Sequence, residues 1–254
     1  MNDISVVVLT HDDENTIETC LESVRFTNEI VIVDDFSSDQ TLNISKKFTK
    51  KIYKRHLTNN FSNQRNFGIS KAKNTWVLCL DSDEVISYDL QEEIVRVVNS
   101  SSSQYGYRLK RYDMMWGKKL KYGEIGDTNL LRLAKKNAGK FEGKVHEKWS
   151  IKGEIGELKN PLYHYPHQTL REFVSEINQY SSIRARELYD KKVNVSVLDI
   201  VFYPTSKFIV NFFFKCGFFD GIQGLMFAIT MSFHSFLVRS KLWLIYDQEK
   251  NKAT

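Results

Sequence analysis

Three carboxylates fall within four positions at Asp81-Ser82-Asp83-Glu84, directly after the apolar run Trp76-Val77-Leu78-Cys79-Leu80. That run reads as a buried strand. A buried strand cannot carry such charges inward, so all four residues are expected to emerge at its carboxyl end. In an open α/β sheet that edge is where ligands bind. Asp81 and Asp83 supply hard oxygen ligands suited to Mg²⁺ or Mn²⁺ holding a diphosphate. For an isolated Asp-x-Asp the plain reading is an acidic turn with a capping aspartate. Here the neighbouring segments decide against it.

Those segments must position the acids. Ile4-Ser5-Val6-Val7-Val8-Leu9 is β-branched and apolar, a parallel-type strand. After Thr10-His11-Asp12-Asp13-Glu14-Asn15, the residues Ile17, Cys20, Leu21 and Val24 recur at helical spacing. Glu29-Ile30-Val31-Ile32-Val33-Asp34-Asp35 is a second strand ending in acids. Ser38 or Asp39 then caps a helix expected to run through Leu42, Ile44, Ser45 and Phe48. Lys51-Ile52-Tyr53 is a short third strand, and the helix holding Asn66 to Ala72 leads into the strand before Asp81. The alternation predicts an α/β fold, a doubly wound, mainly parallel sheet with its acids gathered at one edge.

Strand 1, strand 2, the Asn63 to Ala72 segment and the Trp76 to Glu84 segment resemble, in order and spacing, the nucleotide-sugar half of family 2 glycosyltransferases of the GT-A fold. Gly143-Lys144-Val145-His146-Glu147 and the His164-Tyr165 region are similar to a narrower branch, the bacterial lipopolysaccharide core β-glycosyltransferases that add glucose to heptose or Kdo. The resemblance implies an inverting hexosyl transfer from a nucleotide-diphosphate sugar, with UDP as the expected carrier, to a lipopolysaccharide-type or related glycan acceptor. It also implies a divalent metal, Mg²⁺ or Mn²⁺.

Roles follow by position. Thr10, His11 and Asp12 leave strand 1 where a uracil base would lie, and the His11 ring can stack on it. Asp35 matches the family position that accepts a hydrogen bond from the uracil imide or ribose. Arg65 neutralises charge or contacts the nucleotide. Asp83 is the expected direct metal ligand, Asp81 contacts ribose or a metal-bound water, and Ser82 lies between them. Inverting transfer needs one base to take the acceptor hydroxyl proton. The resemblance points to Glu147, with His146 binding metal or diphosphate or holding Glu147 in place; Asp127 and Glu124 are the next candidates. One departure stands out: Phe36 occupies a turn position where many members carry glycine.

A chain of 254 residues, 42% hydrophobic, buries a sizeable core. Cys20, Cys79 and Cys216 are odd in number and far apart; Cys20 and Cys79 read as small core residues of a reducing compartment. Because the first strand starts almost at once, no secretory leader is expected. The net charge of +5 is dispersed and accompanied by no nucleic-acid motif, so nucleic acid is not an expected partner. An anionic acceptor or the cytoplasmic membrane surface suits it better. The competing class is a nucleotidyltransferase, but those open with a glycine-rich phosphate loop after strand 1, and residues 10–15 contain no glycine.

The catalytic domain is expected over residues 1–165, with the nucleotide-sugar part about 1–100 and the acceptor part about 101–165. Trp116 and Tyr122 lie there in a loop that either stacks on a sugar or packs the loop down. Residues 166–254 form a helical region, with Thr169 capping its first helix. Beyond Pro204 the chain turns rich in phenylalanine, yet Lys215, Asp220, Gln223 and His234 interrupt each long apolar window. The expectation is therefore interfacial helices on the cytoplasmic face of the inner membrane rather than a span.

Overall fold

The computed structural model describes residues 3–58, 60–125, 128–143, 147–166 and 168–252. The chain divides into two compact units, residues 1–112 with 127–165 and residues 113–126 with 166–254. The segment 113–126, assigned from sequence to the acceptor part, packs with the helical region instead.

In the first unit, β1 (Ile4–Thr10) is buried along its whole length and pairs in parallel with β2 (Glu29–Asp34) and β4 (Trp76–Asp81). Burial on both sides is what its unbroken β-branched run requires. β3 (Ile52–Lys54) continues the parallel half beyond β2. Past β4 the order turns antiparallel. β8 (Thr128–Lys135) pairs with β4 and with β6 (Gly106–Met115), and β11 (Ile155–His164) pairs with the short β5 (Glu84–Ile86). The sheet is thus mixed, parallel in the half that carries the acids.

Helices cover both faces. Against one face pack α1 (Ile17–Ser23), α2 (Thr41–Ser45) and α4 (Tyr88–Asn99) around Ile17, Leu21, Leu90 and Ile94. The other face takes α3 (Phe61–Lys71) and a hairpin of β9 (Gly139–Glu142) and β10 (Lys148–Ile151). α3 approaches β1 so closely that a Cβ on Gly68 would lie 2.3 Å from Val7 Cγ1, so only glycine fits there. α2 ends at Ser45 rather than at Phe48, because the backbone tightens to three-residue turns at Lys47 and Phe48. Cys20 and Cys79 are fully buried, and burial pushes the Cys79 thiol up to about 12, which keeps it from acting as a nucleophile.

The second unit contains α5 (Leu170–Asp190), opened by a Thr169–Glu172 capping box, and α6 (Val197–Ile209), opened by a Ser196–Asp199 box. α6 begins before Pro204 and continues through a π-helical turn, Val210–Phe214. This stretch, Val197–Phe214, avoids every interrupting residue anticipated from sequence. Its 18 residues are long and apolar enough by composition to cross a membrane, and only 6% of them are buried. The chain then turns at Cys216 (φ 58°) and Gly221 (φ 68°) into α7 (Ile222–Lys252), which packs on α5 through Ala185, Leu188, Val238 and Leu242. Asp220, buried at that turn, accepts from the Lys121 and Tyr122 N–H groups at 2.9 Å each. This fixes the loop that follows β7 (Lys118–Lys119). Trp116 packs on Phe173 and Tyr122 on Phe219, so the loop aromatics pack the loop down.

Candidate functional site

The carboxyl ends of β1, β2 and β4 meet at one edge of the parallel half-sheet. Asp13, set aside by sequence reading, is the hub of the β1 exit. Its Oδ2 accepts from Thr10 Oγ1 and the His11 N–H, each at 2.8 Å, and from the Ser82 hydroxyl. Burial pushes the Asp13 carboxyl up, against the opposing pull of these hydrogen bonds. Thr10 and Ser82 are therefore occupied in locking the β1 exit to the β4 turn.

Asp12 adopts φ 54° and accepts from the Ser38 N–H at 2.6 Å, tying the loop after β1 to the loop after β2. His11 lies exposed, its Nδ1 2.7 Å from the Asp35 carbonyl oxygen. The Asp35 N–H donates to the Thr10 carbonyl, while its Oδ1 accepts from the Leu57 N–H at 3.1 Å and lies 3.4 Å from His56 Nδ1. Phe36 takes the left-handed conformation, φ 56°, that a glycine would adopt freely. Its ring stacks on His56 at 3.9 Å, a contact that offsets the backbone cost. The residue thus keeps the turn that the resemblance leads one to expect of glycine. Asp34, wholly buried, accepts from the Ser37 N–H and builds that turn.

The β4 exit departs from expectation at Ser82, which is buried against Asp13, and at Glu84. Asp81 and Asp83 emerge part-exposed, but Glu84 turns inward and is fully buried. It is compensated there: Arg132 Nη2 donates to it at 2.8 Å, Arg111 lies 3.7 Å away, and its own Oε2 accepts from the Asp81 N–H at 3.0 Å. The sequence argument against inward charge fails because these arginines reach Glu84 from β6 and β8.

Asp81 sits between two buried guanidiniums. Arg65 Nη2 contacts Oδ1 at 2.8 Å and Oδ2 at 3.1 Å, and Arg132 Nη2 donates to Oδ2 at 2.7 Å. Burial alone would push the Asp81 carboxyl up, but Arg65 and Arg132 outweigh it and hold it well below the usual carboxylate range. Arg65 also donates from Nε to Glu147 Oε1 at 2.7 Å, its guanidinium lying over the Phe141 ring. The hairpin carrying Glu147 is held to α3 by Asn66, which donates to the Phe141 carbonyl and accepts from the Phe141 N–H, both at 2.9 Å. Ser62 donates to the Gly143 carbonyl. One helix thereby places Arg65 against both the strand-exit acid and Glu147.

His146 and Asp127 lie outside the described residues. Glu124 belongs to the second unit, where Lys207 and Lys215 pair with its carboxylate.

Asp83 has a partner that sequence reading did not assign to the site. His164, at the end of β11, presents Nε2 3.1 Å from Asp83 Oδ2. The antiparallel register that sets His164 opposite Glu84 puts it there. Among the described residues no group of three or more His, Cys, Asp and Glu forms a metal cage. The Asp83 carboxylate fits the habit of Mg²⁺ and Mn²⁺, which take one or two carboxylates and complete their shell with substrate phosphate and water. Asp81, with both oxygens given to guanidiniums, fits that role less well than Asp83.

An uncharacterized glycosyltransferase of Rickettsia typhi is 27% identical over 95% of this chain and 87% of its own length. The lipopolysaccharide core biosynthesis glycosyltransferase LpsC of Rhizobium meliloti is 23% identical, covering 98% and 94%. Among solved structures, S. aureus TarS residues 1–349 align with a TM-score of 0.46 and 15% identity, covering 96% of this chain and 91% of that one. The family model for Glycosyl transferase family 2 matches residues 5–158, which include the three strand exits, Arg65 and Glu147. The chain belongs to the family 2 glycosyltransferases.

Proposed function

We propose that this glycosyltransferase is an inverting, metal-dependent hexosyltransferase that uses a UDP-sugar, with glucose the favoured hexose, and a lipopolysaccharide-core or related surface glycan as acceptor. The observation that carries the reading is the Arg65 guanidinium, which joins Asp81 and Glu147 in one network at 2.7–2.8 Å. It gathers a donor-side acid and a proton acceptor around one buried cation.

In this reading Asp35, next to the β1 and β2 exits, accepts from the uracil imide, and His11 stacks on the base. Asp83, with His164 beside it, would hold the divalent ion. When bound, the ion supplies Lewis-acid neutralisation of charge on the departing nucleoside diphosphate. Arg65 and Arg132 keep Asp81 ionised, so that it holds a ribose hydroxyl or a metal-bound water. Arg65 engages Glu147 through Oε1, and Oε2 is the Glu147 oxygen assigned to the reaction. It takes the acceptor proton as the acceptor oxygen bonds to the anomeric carbon, on the face opposite the breaking bond to diphosphate. The product glycoside is inverted, the proton rests on Glu147, and the bonding pair leaves with the nucleotide.

The second unit supports a location at the membrane surface. α6 and its π-helical turn expose Phe202, Phe213 and Phe214, the last 78% exposed, and the following turn adds Phe219 and Ile222. Apolar surface on this scale marks an interaction site, and burying it contributes about 25 cal/mol per Å² removed from water. We place the unit on the cytoplasmic leaflet of the inner membrane, where a lipid-linked acceptor would be met.

Nucleotide preference tests the donor assignment. With Mn²⁺ present, UDP is expected to raise the melting temperature more than GDP or ADP, through the Asp35 contact. Equal shifts from the three would remove the ground for a UDP-sugar.

A further inference from the structure

Between α5, α6 and α7 lies a cleft of about 390 Å³ inside the helical unit. Arg184, Lys207 and Arg239 line it as fixed cations, and Glu124 is the one carboxylate among the lining groups. Lys207 pairs with Glu124 and Arg184 with Glu187, the latter at 2.8 Å, so the positive excess of the lining rests on Arg239. Arg239 lies 3.9 Å over the Tyr203 ring. A guanidinium over an aromatic face is held by the ring without giving up its N–H donors, whose fork geometry suits phosphate. Ser206 and Ser235 add hydroxyl donors at the wall. Burial and the Lys207 cation push the His234 imidazole below its usual range, as expected in a partly dry, electropositive site.

The cleft has an apolar neighbour on the same helix. Tyr203 and Val210 line it, while Phe202 and Phe213 of the same helical stretch stand in solvent. Cations in a recess beside an exposed aromatic face match an amphiphile whose headgroup is anionic, better than they match a free ion. We propose that this cleft holds the phosphate headgroup of an anionic lipid, with Lys207, Arg239 and Arg184 as the contacting cations. The proposal rests on the membrane-surface reading above and deepens it. The apolar face supplies adhesion to any bilayer, and the cleft supplies selection for a lipid whose phosphate headgroup carries net negative charge.

Vesicle flotation with the full chain separates the two. Wild type is expected to float weakly with phosphatidylcholine vesicles and at least about tenfold more tightly, on the usual affinity scale, with the same vesicles containing phosphatidic acid. Lys207→Gln with Arg239→Gln should erase that gain while leaving the phosphatidylcholine binding. Lys191→Gln with Lys192→Gln, which removes two cations of the same unit outside the cleft lining, should keep most of it. Equal gains in wild type and the Lys207/Arg239 variant, or equal losses in both variants, would overturn the cleft in favour of diffuse surface charge. If wild type floats with neither vesicle, the membrane reading itself fails. Soluble dihexanoyl phosphatidic acid then tests the cleft alone through the NMR signals of His234. A saturable shift supports it, and no shift overturns it. Displacement of that lipid by equimolar inorganic phosphate would overturn the lipid assignment.

Discussion

Glu147→Gln is expected to lower sugar transfer by about 10²–10⁴-fold, the usual contribution of a general base, while nucleotide binding persists. Glutamine keeps the shape of the side chain, and its amide oxygen still accepts from Arg65 Nε, a bond that measures 2.7 Å in the native protein. What it loses is the capacity to take a proton. The variant should retain its melting temperature and its UDP-induced shift, and single-turnover transfer should slow with kcat rather than with donor affinity. A loss below about tenfold would leave general-base catalysis unsupported at this position. The role would then pass to a carboxylate such as Asp127.

Arg132→Met is expected to act on the fold. In the native protein Arg132 Nη2 bridges Asp81 at 2.7 Å and Glu84 at 2.8 Å, and Glu84 is fully buried. Removing one member of a buried ion network leaves uncompensated charge, at a cost of roughly 3–5 kcal/mol. Arg65 still serves Asp81, and Arg111 still lies 3.7 Å from Glu84, which favours the lower end. For a protein of this size about 3 kcal/mol corresponds to a fall of roughly 6–12 °C in melting temperature.

The pH dependence has a definite sign. Because the Asp81 carboxyl is held below its unfolded value, its share of stability is present above about pH 4, the unfolded carboxylate value, and is lost as pH falls through the lower folded value. The penalty of Arg132→Met should accordingly be largest at neutral pH and shrink below about pH 4, where the native protein loses the Asp81 share as well. Adding Glu84→Gln to the variant should recover part of the loss. A penalty that stays flat from neutral to acid pH would show that lost packing, not lost charge, sets it.

The strand exits were legible in the sequence because a β-branched run ending in carboxylates has one comfortable arrangement, apolar residues between layers and acids at the rim. Glu84 was not legible. Its partners Arg111 and Arg132 belong to β6 and β8, and local pattern carries no information about which distant strands pair. His164 was hidden for the same reason, since only the pairing of β11 with β5 sets it beside Asp83. Asp13 looked like one acid among several in a polar loop; its role comes from burial against Thr10 and Ser82. The helical region was legible in composition but less so in boundaries, because the apolar stretch was read from Pro204 onward and α6 starts at Val197, with Pro204 inside it. The nucleotidyltransferase alternative, open on the acids alone, gives way to the family match over residues 5–158.

In the proposed mechanism Asp83 serves a divalent ion in transfer from a nucleotide sugar. The most direct test is nucleotide release from a panel of nucleotide sugars, measured on wild type and on Asp83→Ala, with Mn²⁺ or Mg²⁺ and again in excess chelator. Turnover of a UDP-hexose that chelator abolishes is expected, together with its loss in Asp83→Ala at an unchanged melting temperature. Undiminished release in excess chelator, or full activity in Asp83→Ala, would contradict it.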